Sequence, residues 1–503
     1  MISLFGGGKP DHPMADPKEA KRLIEELPAQ DPLKALEELA HWLESLAGAE
    51  GFRLEHRIQR LFAVDEAAQA RLRKLAKDYL GAAPGFKQNR LWTQIQEYWR
   101  QAGLAYARCV DAFIKDPKRS EVAAAQLPLL LVRALRSFGQ QIKWMHLRYG
   151  PVDQAAWGAL NGVYAFAELR KLADAKSIAY PGAPGDSTPR QEFLKTVMFG
   201  ASSPGSLLPL EVELAERLVG DFARSFALAN APAPELAYWT DLGRAMAPQR
   251  AAKPPQAGTG LRCFGAGAAL AALQALIERI EKTRQVPSEV NLGGSCEPEV
   301  ALEVMRHLAT CWSPLPPERK HPRHSVKSRL AVTHGFDGVL EALGGAGASL
   351  DFGGKGGESW MVENVSAGGF GAVVPQLKGD WLRVGALLAM QPEGGSNWVL
   401  GTVRRVSKSS LQEARVGIQT LSRTPLASTF TLQGAGQEPG VLLKPGDAQT
   451  GEAAIALRSG VFVPGQNLEA ERAGRQHVYM PLGVLERDED YEIVRFREMV
   501  RES

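Results

Sequence analysis

The chain has 503 residues, 45% of them hydrophobic and 23% charged, ordinary usage for a globular protein of two to four domains. That composition excludes a collagen-like fibre, a disordered tail protein and a membrane transporter. The 59 Lys and Arg against 56 Asp and Glu leave only +3, too little for bulk nucleic-acid binding though enough for a small local anion site. Four cysteines without a CxxC pair read as reduced thiols, and the N-terminus lacks the basic-then-apolar order of a signal peptide. The longest apolar run, Val122 to Val132, is interrupted by Gln126 and Pro128 and falls short of the ~20 residues that span a bilayer. A cytoplasmic protein without a membrane span is expected.

Helices come first. Asp31 followed by Pro32 is an N-cap and first-turn proline. Leu33, Leu36, Leu39, Leu43 and Leu46 then recur at three- and four-residue steps, an amphipathic stripe. Similar stripes run through Leu54 to Phe62, Leu91 to Trp99, Leu127 to Leu147, Trp157 to Leu172 and Leu210 to Phe226. Residues 1–230 therefore read as an all-α domain, broken by the Pro/Gly-rich loop Tyr180 to Pro189. Residues 231–313 mix a strand at Leu236 to Leu242, a strand at Leu261 to Phe264 and helices at Ala268 to Lys282 and Pro298 to Thr310. They form a small α/β connecting segment.

Beyond residue 313 the texture is β. Short apolar or alternating runs, among them Trp398 to Val403, Val416 to Thr420, Val441 to Leu443, Ala453 to Leu457 and Val478 to Leu482, are separated by Gly/Asn/Asp turns, the pattern of barrels. At this length one small barrel is exceeded, so the region divides into 314–425 and 426–503. The fold class is a multidomain α+β protein, with a second, degenerate barrel at the C-terminus. The acidic run Asp488 to Asp490 reads as a solvated surface.

Two motifs carry chemistry. Glu318-Arg-Lys-His-Pro-Arg323 puts Arg319 and Arg323 four apart ahead of the first strand. Each guanidinium can grip a phosphate or a guanine edge bidentately, and Pro322 keeps the segment extended. Glu363-Asn-Val-Ser-Ala-Gly-Gly-Phe370 places Asn364, Ser366 and Gly369 in the pattern NxSxxG. It offers an amide and a hydroxyl beside backbone bare enough for a flat base. An anion grip next to a reader of base edges suits a guanine nucleotide. Lys320, Gly368 and Arg404 are further candidates. The bland readings are a basic linker for the arginines and a common turn for the Asn-Ser-Gly set. No catalytic signature and no zinc spacing is present.

In these motifs the sequence resembles the PilZ domain over Pro317 to Leu421, which includes Asn397 to Arg404 and Val416-Gly-Ile418. The Gly-rich insert Gly344 to Gly357 lengthens the spacing between the motifs, and Asn364 stands where the family often has Asp. The resemblance implies a β-barrel that receives cyclic di-GMP, with Arg319 and Arg323 clamping phosphates and guanines, and Asn364, Ser366 and Gly369 lining the receiving face. A non-enzymatic effector is therefore expected, needing no cofactor or metal. Ligand binding would change its interdomain arrangement or its hold on a protein partner docked on the helical half. A ligand-free adaptor is the competing reading, and a single-stranded nucleic-acid binder is disfavoured by the near-neutral charge. No motif in residues 1–300 points to a family.

Overall fold

The computed structural model describes residues 10–251, 256, 258–315, 321–344, 357–432, 436–447 and 449–501. The chain divides into two units, Met1–Pro317 and Glu318–Ser503. The first opens with α1 (Pro17–Glu25), α2 (Pro32–Gly48), α3 (Leu54–Leu80), α4 (Phe86–Lys115), α5 (Pro117–Ser120), α6 (Leu127–His146), α7 (Gln154–Leu169), α8 (Pro189–Ala201) and α9 (Pro209–Asp221). Asp31 caps α2 through Lys34 N at 3.0 Å, and Pro32 holds the first helical position. Leu36, Leu39, Leu43 and Leu46 are fully buried, so the stripe predicted for α2 is its core face.

A four-stranded sheet follows, from β1 (Ala227–Ala229), β2 (Tyr238–Asp241), β3 (Gln249–Arg250) and β4 (Leu261–Gly265) in the order β1-β4-β2-β3. The helices α10 (Ala269–Thr283) and α11 (Pro298–Trp312) complete the unit. This segment does not stand apart from the helices. Phe264, Leu273, Ile280 and Trp312 belong to the same apolar core as Leu39 and Leu135, and Trp312 Nε1 donates to Ser202 Oγ at 3.0 Å.

The apolar stretch Pro117–His146 is long and apolar enough to cross a membrane, longer than its interrupted sequence suggested. In the fold α6 lies in the helical core, and its charges are paired there. Arg133 donates to Ala179 O at 2.7 Å, Phe62 O at 3.1 Å and Glu66 Oε1 at 2.6 Å. Lys143 pairs with Glu213 at 2.5 Å and Glu216 at 3.3 Å. Next to Arg133, the fully buried Asp65 carboxylate accepts from Tyr98 and Tyr106 at 2.7 Å each and from Tyr180 at 3.0 Å. Tyr180 lies in the predicted loop, which this bond pins to α3.

The second unit holds two closed six-stranded antiparallel barrels. β5 (His324–His334), β6 (Glu358–Ser366), β7 (Gly369–Val374), β8 (Leu387–Pro392), β9 (Val399–Lys408) and β10 (Ala414–Ser422) build the first. β11 (Leu426–Leu432), β12 (Gly436–Lys444), β13 (Glu452–Arg458), β14 (Leu468–Arg472), β15 (Arg475–Arg487) and β16 (Tyr491–Val500) build the second. With strands counted one to six in each, both rings run one-two-three-six-five-four and close on one. Within this unit the second barrel therefore repeats the connectivity of the first.

A helix absent from the sequence expectation, α12 (Phe336–Gly344), follows β5. Its Phe336 and Val339 join Leu387, Ala389 and Leu400 of the first barrel to Val441, Leu443, Ala456, Tyr491 and Ile493 of the second in one apolar cluster. Tyr491 donates its hydroxyl proton to Gly385 O at 3.0 Å. Glu489 and Asp490 of the expected solvated acidic run are exposed, but Asp488 is not. Its side chain is only 6% exposed and receives both Nη atoms of Arg383, one at 2.9 Å. The partner lies 105 positions away, so local composition could not reveal it.

Candidate functional site

The second motif occupies the β6–β7 hairpin end. Asn364 pairs with Gly371, Val365 with Phe370 and Ser366 with Gly369. Ser366 Oγ donates to Gly369 O at 3.3 Å, which fixes the turn. From the far side, Thr420 N donates to Gly368 O at 3.0 Å and Arg423 Nη2 to Ala367 O at 3.1 Å. The hairpin end is thus held by β10 and its exit, leaving the Asn364 amide partly exposed. That amide has no hydrogen-bond partner among the described residues, so its two donors and its acceptor are available.

Gly369 is where the chain allows no side chain. A Cβ there would lie 1.9 Å from the carbonyl oxygen of Ile418 on β10. Gly369→Ala is expected to force β7 off β10 and to destabilise the barrel by about 1–3 kcal/mol. A thermal melt of the variant checks this; a wild-type melting temperature would contradict so close an approach.

The first motif meets this hairpin. Ser325 pairs with Asn364 and His324 with Val365, which carries Arg323, one residue earlier, to the level of Ser366. Arg323 is exposed and has no hydrogen bond or ion pair among the described residues. His321 lies against the same turn: a Cβ on Gly368 would sit 3.3 Å from His321 Cδ2. Arg319 and Lys320 fall outside the described residues. Arg404 is already engaged, with Nε on Gln419 Oε1 and Nη2 on Glu486 Oε2 of β15, both at 2.7 Å. Its role is to tie the barrels together through a half-exposed ion pair.

Neither His321 nor Arg423 was among the residues expected at the nucleotide site. His321 stands between the two arginines, a signal that was available; Arg423 is far from both motifs in sequence and only the β10–β11 connection brings it near.

Residues 18–233 match the family described as Cyclic-di-GMP receptor FimW, N-terminal domain. The matched part is similar to the N-terminal domain of a cyclic di-GMP receptor, a binding protein; it covers the helices and ends before the barrels. It lies in the half of the chain where no motif was legible. No curated protein matches the chain.

Proposed function

We propose that the protein is a cytoplasmic, non-enzymatic cyclic di-GMP effector whose first barrel is of the PilZ type. The observation that carries this reading is the convergence of the two motifs, with Arg323 level with Ser366 and His321 against Gly368. The likeness of residues 18–233 to part of a cyclic di-GMP receptor supports the same ligand from the other half of the chain. In this reading Arg319 and Arg323 grip phosphates and guanine edges, while Asn364, Ser366 and the bare backbone at Gly368 and Gly369 receive the base. Ligand uptake then alters the interdomain arrangement or the binding of a protein partner on the helical unit, which requires that the ligand favour one arrangement over the other.

Isothermal titration tests the reading. Cyclic di-GMP is expected to bind, with GTP and cyclic AMP much weaker, because the paired forks and base reader need guanine and several phosphate oxygens together. A flat trace at high micromolar cyclic di-GMP would leave the ligand-free adaptor as the better account.

A further inference from the structure

The outer face of the first barrel carries a row of four residues on four neighbouring strands. Asn364 pairs with Gly371, Gly371 with Gly417, and Gly417 with Arg405. The row crosses three strand spacings, roughly 14 Å in all. One step along, Val362, Ala372, Val416 and Val406 are all buried, so by strand alternation the row points outward. Its ends bear polar side chains and its middle bears none.

The fold does not demand both glycines. A Cβ on Gly417 would meet only Arg405 Cβ, at an ordinary 3.5 Å. A glycine in a strand interior weakens it, and often marks where a ligand approaches the backbone closely. At Gly371 the space is taken by the Asn364 amide, whose Nδ2 would lie 2.6 Å from a Cβ.

Both ends of the row also sit at register shifts. On β6 the shift between Val362 and Asn364 leaves Glu363 as the extra residue, and across β10 the shift between Gly417 and Ile418 leaves Arg404 as the extra residue of β9. Bulges re-aim side chains and gather next to functional sites. Here the bulge sends the two adjacent arginines different ways. Arg404 goes to Gln419 and Glu486. Arg405 stays on the row, exposed, with no hydrogen bond or ion pair among the described residues.

Resting on the cyclic di-GMP reading above, we infer that the Gly371–Gly417 strip seats a purine ring and that Arg405 reads its edge, selecting guanine. Over Gly417 the ring face lies on the bare peptide planes, and over Gly371 the Asn364 amide turns aside to meet the ring edge. Guanine presents two acceptors, O6 and N7, which match the guanidinium fork bidentately. Adenine presents N7 beside an amino donor, and a guanidinium has only donors to offer. Arg405 is thus a specificity-determining contact beyond the two motifs.

The test titrates the full chain and its variants with cyclic di-GMP and cyclic di-AMP, alongside thermal melts. Arg405→Ala is expected to lose about tenfold or more on cyclic di-GMP and little on cyclic di-AMP, narrowing the preference. Gly417→Val, a good strand residue, is expected to weaken both ligands without lowering the melting temperature. Arg404→Ala should leave the guanine-to-adenine ratio unchanged. If the wild type binds cyclic di-GMP and both Arg405→Ala and Gly417→Val stay within twofold of it, the seat is wrong while the ligand stands. A wild type that takes up no cyclic di-GMP overturns the ligand reading and the seat with it.

Discussion

Replacing Arg323 with alanine is expected to lower the affinity for cyclic di-GMP roughly tenfold to a hundredfold, the weight of one charge-assisted contact of about 1.5–3 kcal/mol. The melting temperature should not move. Arg323 precedes β5, is exposed, and touches no carboxylate among the described residues, so the barrel core does not depend on it. Arg319→Ala is expected to behave in the same way. Titration calorimetry beside a thermal melt separates the effects. Unchanged affinity in both variants would make the segment a solvated linker. A lowered melting temperature would mean that Arg323 serves the fold.

A larger loss of stability is expected from Asp65→Ala in the helical unit. Asp65 is fully buried and accepts from three tyrosine hydroxyls, while Arg133 Nη1 lies 4.0 Å away. Burial and the neighbouring carboxylate hold the hydroxyls of Tyr98, Tyr106 and Tyr180 well above their ordinary pKa, so all three remain donors. Alanine would strand those donors and remove a counter-charge of Arg133, at a cost of about 3–5 kcal/mol. In calorimetry this is read as a fall of about 10 °C in the melting of the helical unit. The Asn variant should fall less, since its carbonyl still accepts. Wild-type melting of the alanine variant would show that Glu66 alone satisfies Arg133.

What the sequence revealed follows the range of the signal. The α2 stripe is periodic within one helix, so Leu36 to Leu46 could be assigned to the core without knowing their partners. The strand Ala453 to Leu457 was legible for the same reason, as one apolar run lying within β13. By contrast β14, Leu-Glu-Ala-Glu-Arg, is short and highly charged, and only Leu468 and Ala470 face the core. The helix α12 was hidden by Gly338 inside nine residues. Both motifs were legible by spacing, but their meeting depends on the β5–β6 register. The choice between Arg404 and Arg405 was not legible at all. Both neighbouring arginines face out, and a bulge decides which of them pairs with Gly417; it exists only in the pairing of β9 with β10.

The shared ring order of the two barrels sets a sorting problem during folding. Hairpin β6–β7 and hairpin β12–β13 hold the same two places in their rings, so each is a plausible tenant of the other's vacancy while the chain is still open. Tethered copies of one topology are prone to such exchange. The features that make the hairpins unlike also keep them apart. β6 is bulged at Glu363, and β7 begins with a glycine that fits only under Ile418 O. β12 instead carries its irregularity between Leu442 and Lys444, near the end of its pairing with β13. A strand with the wrong bulge turns its apolar residues outward from that point on. The residues that shape the β6–β7 turn of the first barrel therefore also act as its address label, and a substitution at Gly369 would surface first as a lower yield of correctly paired protein.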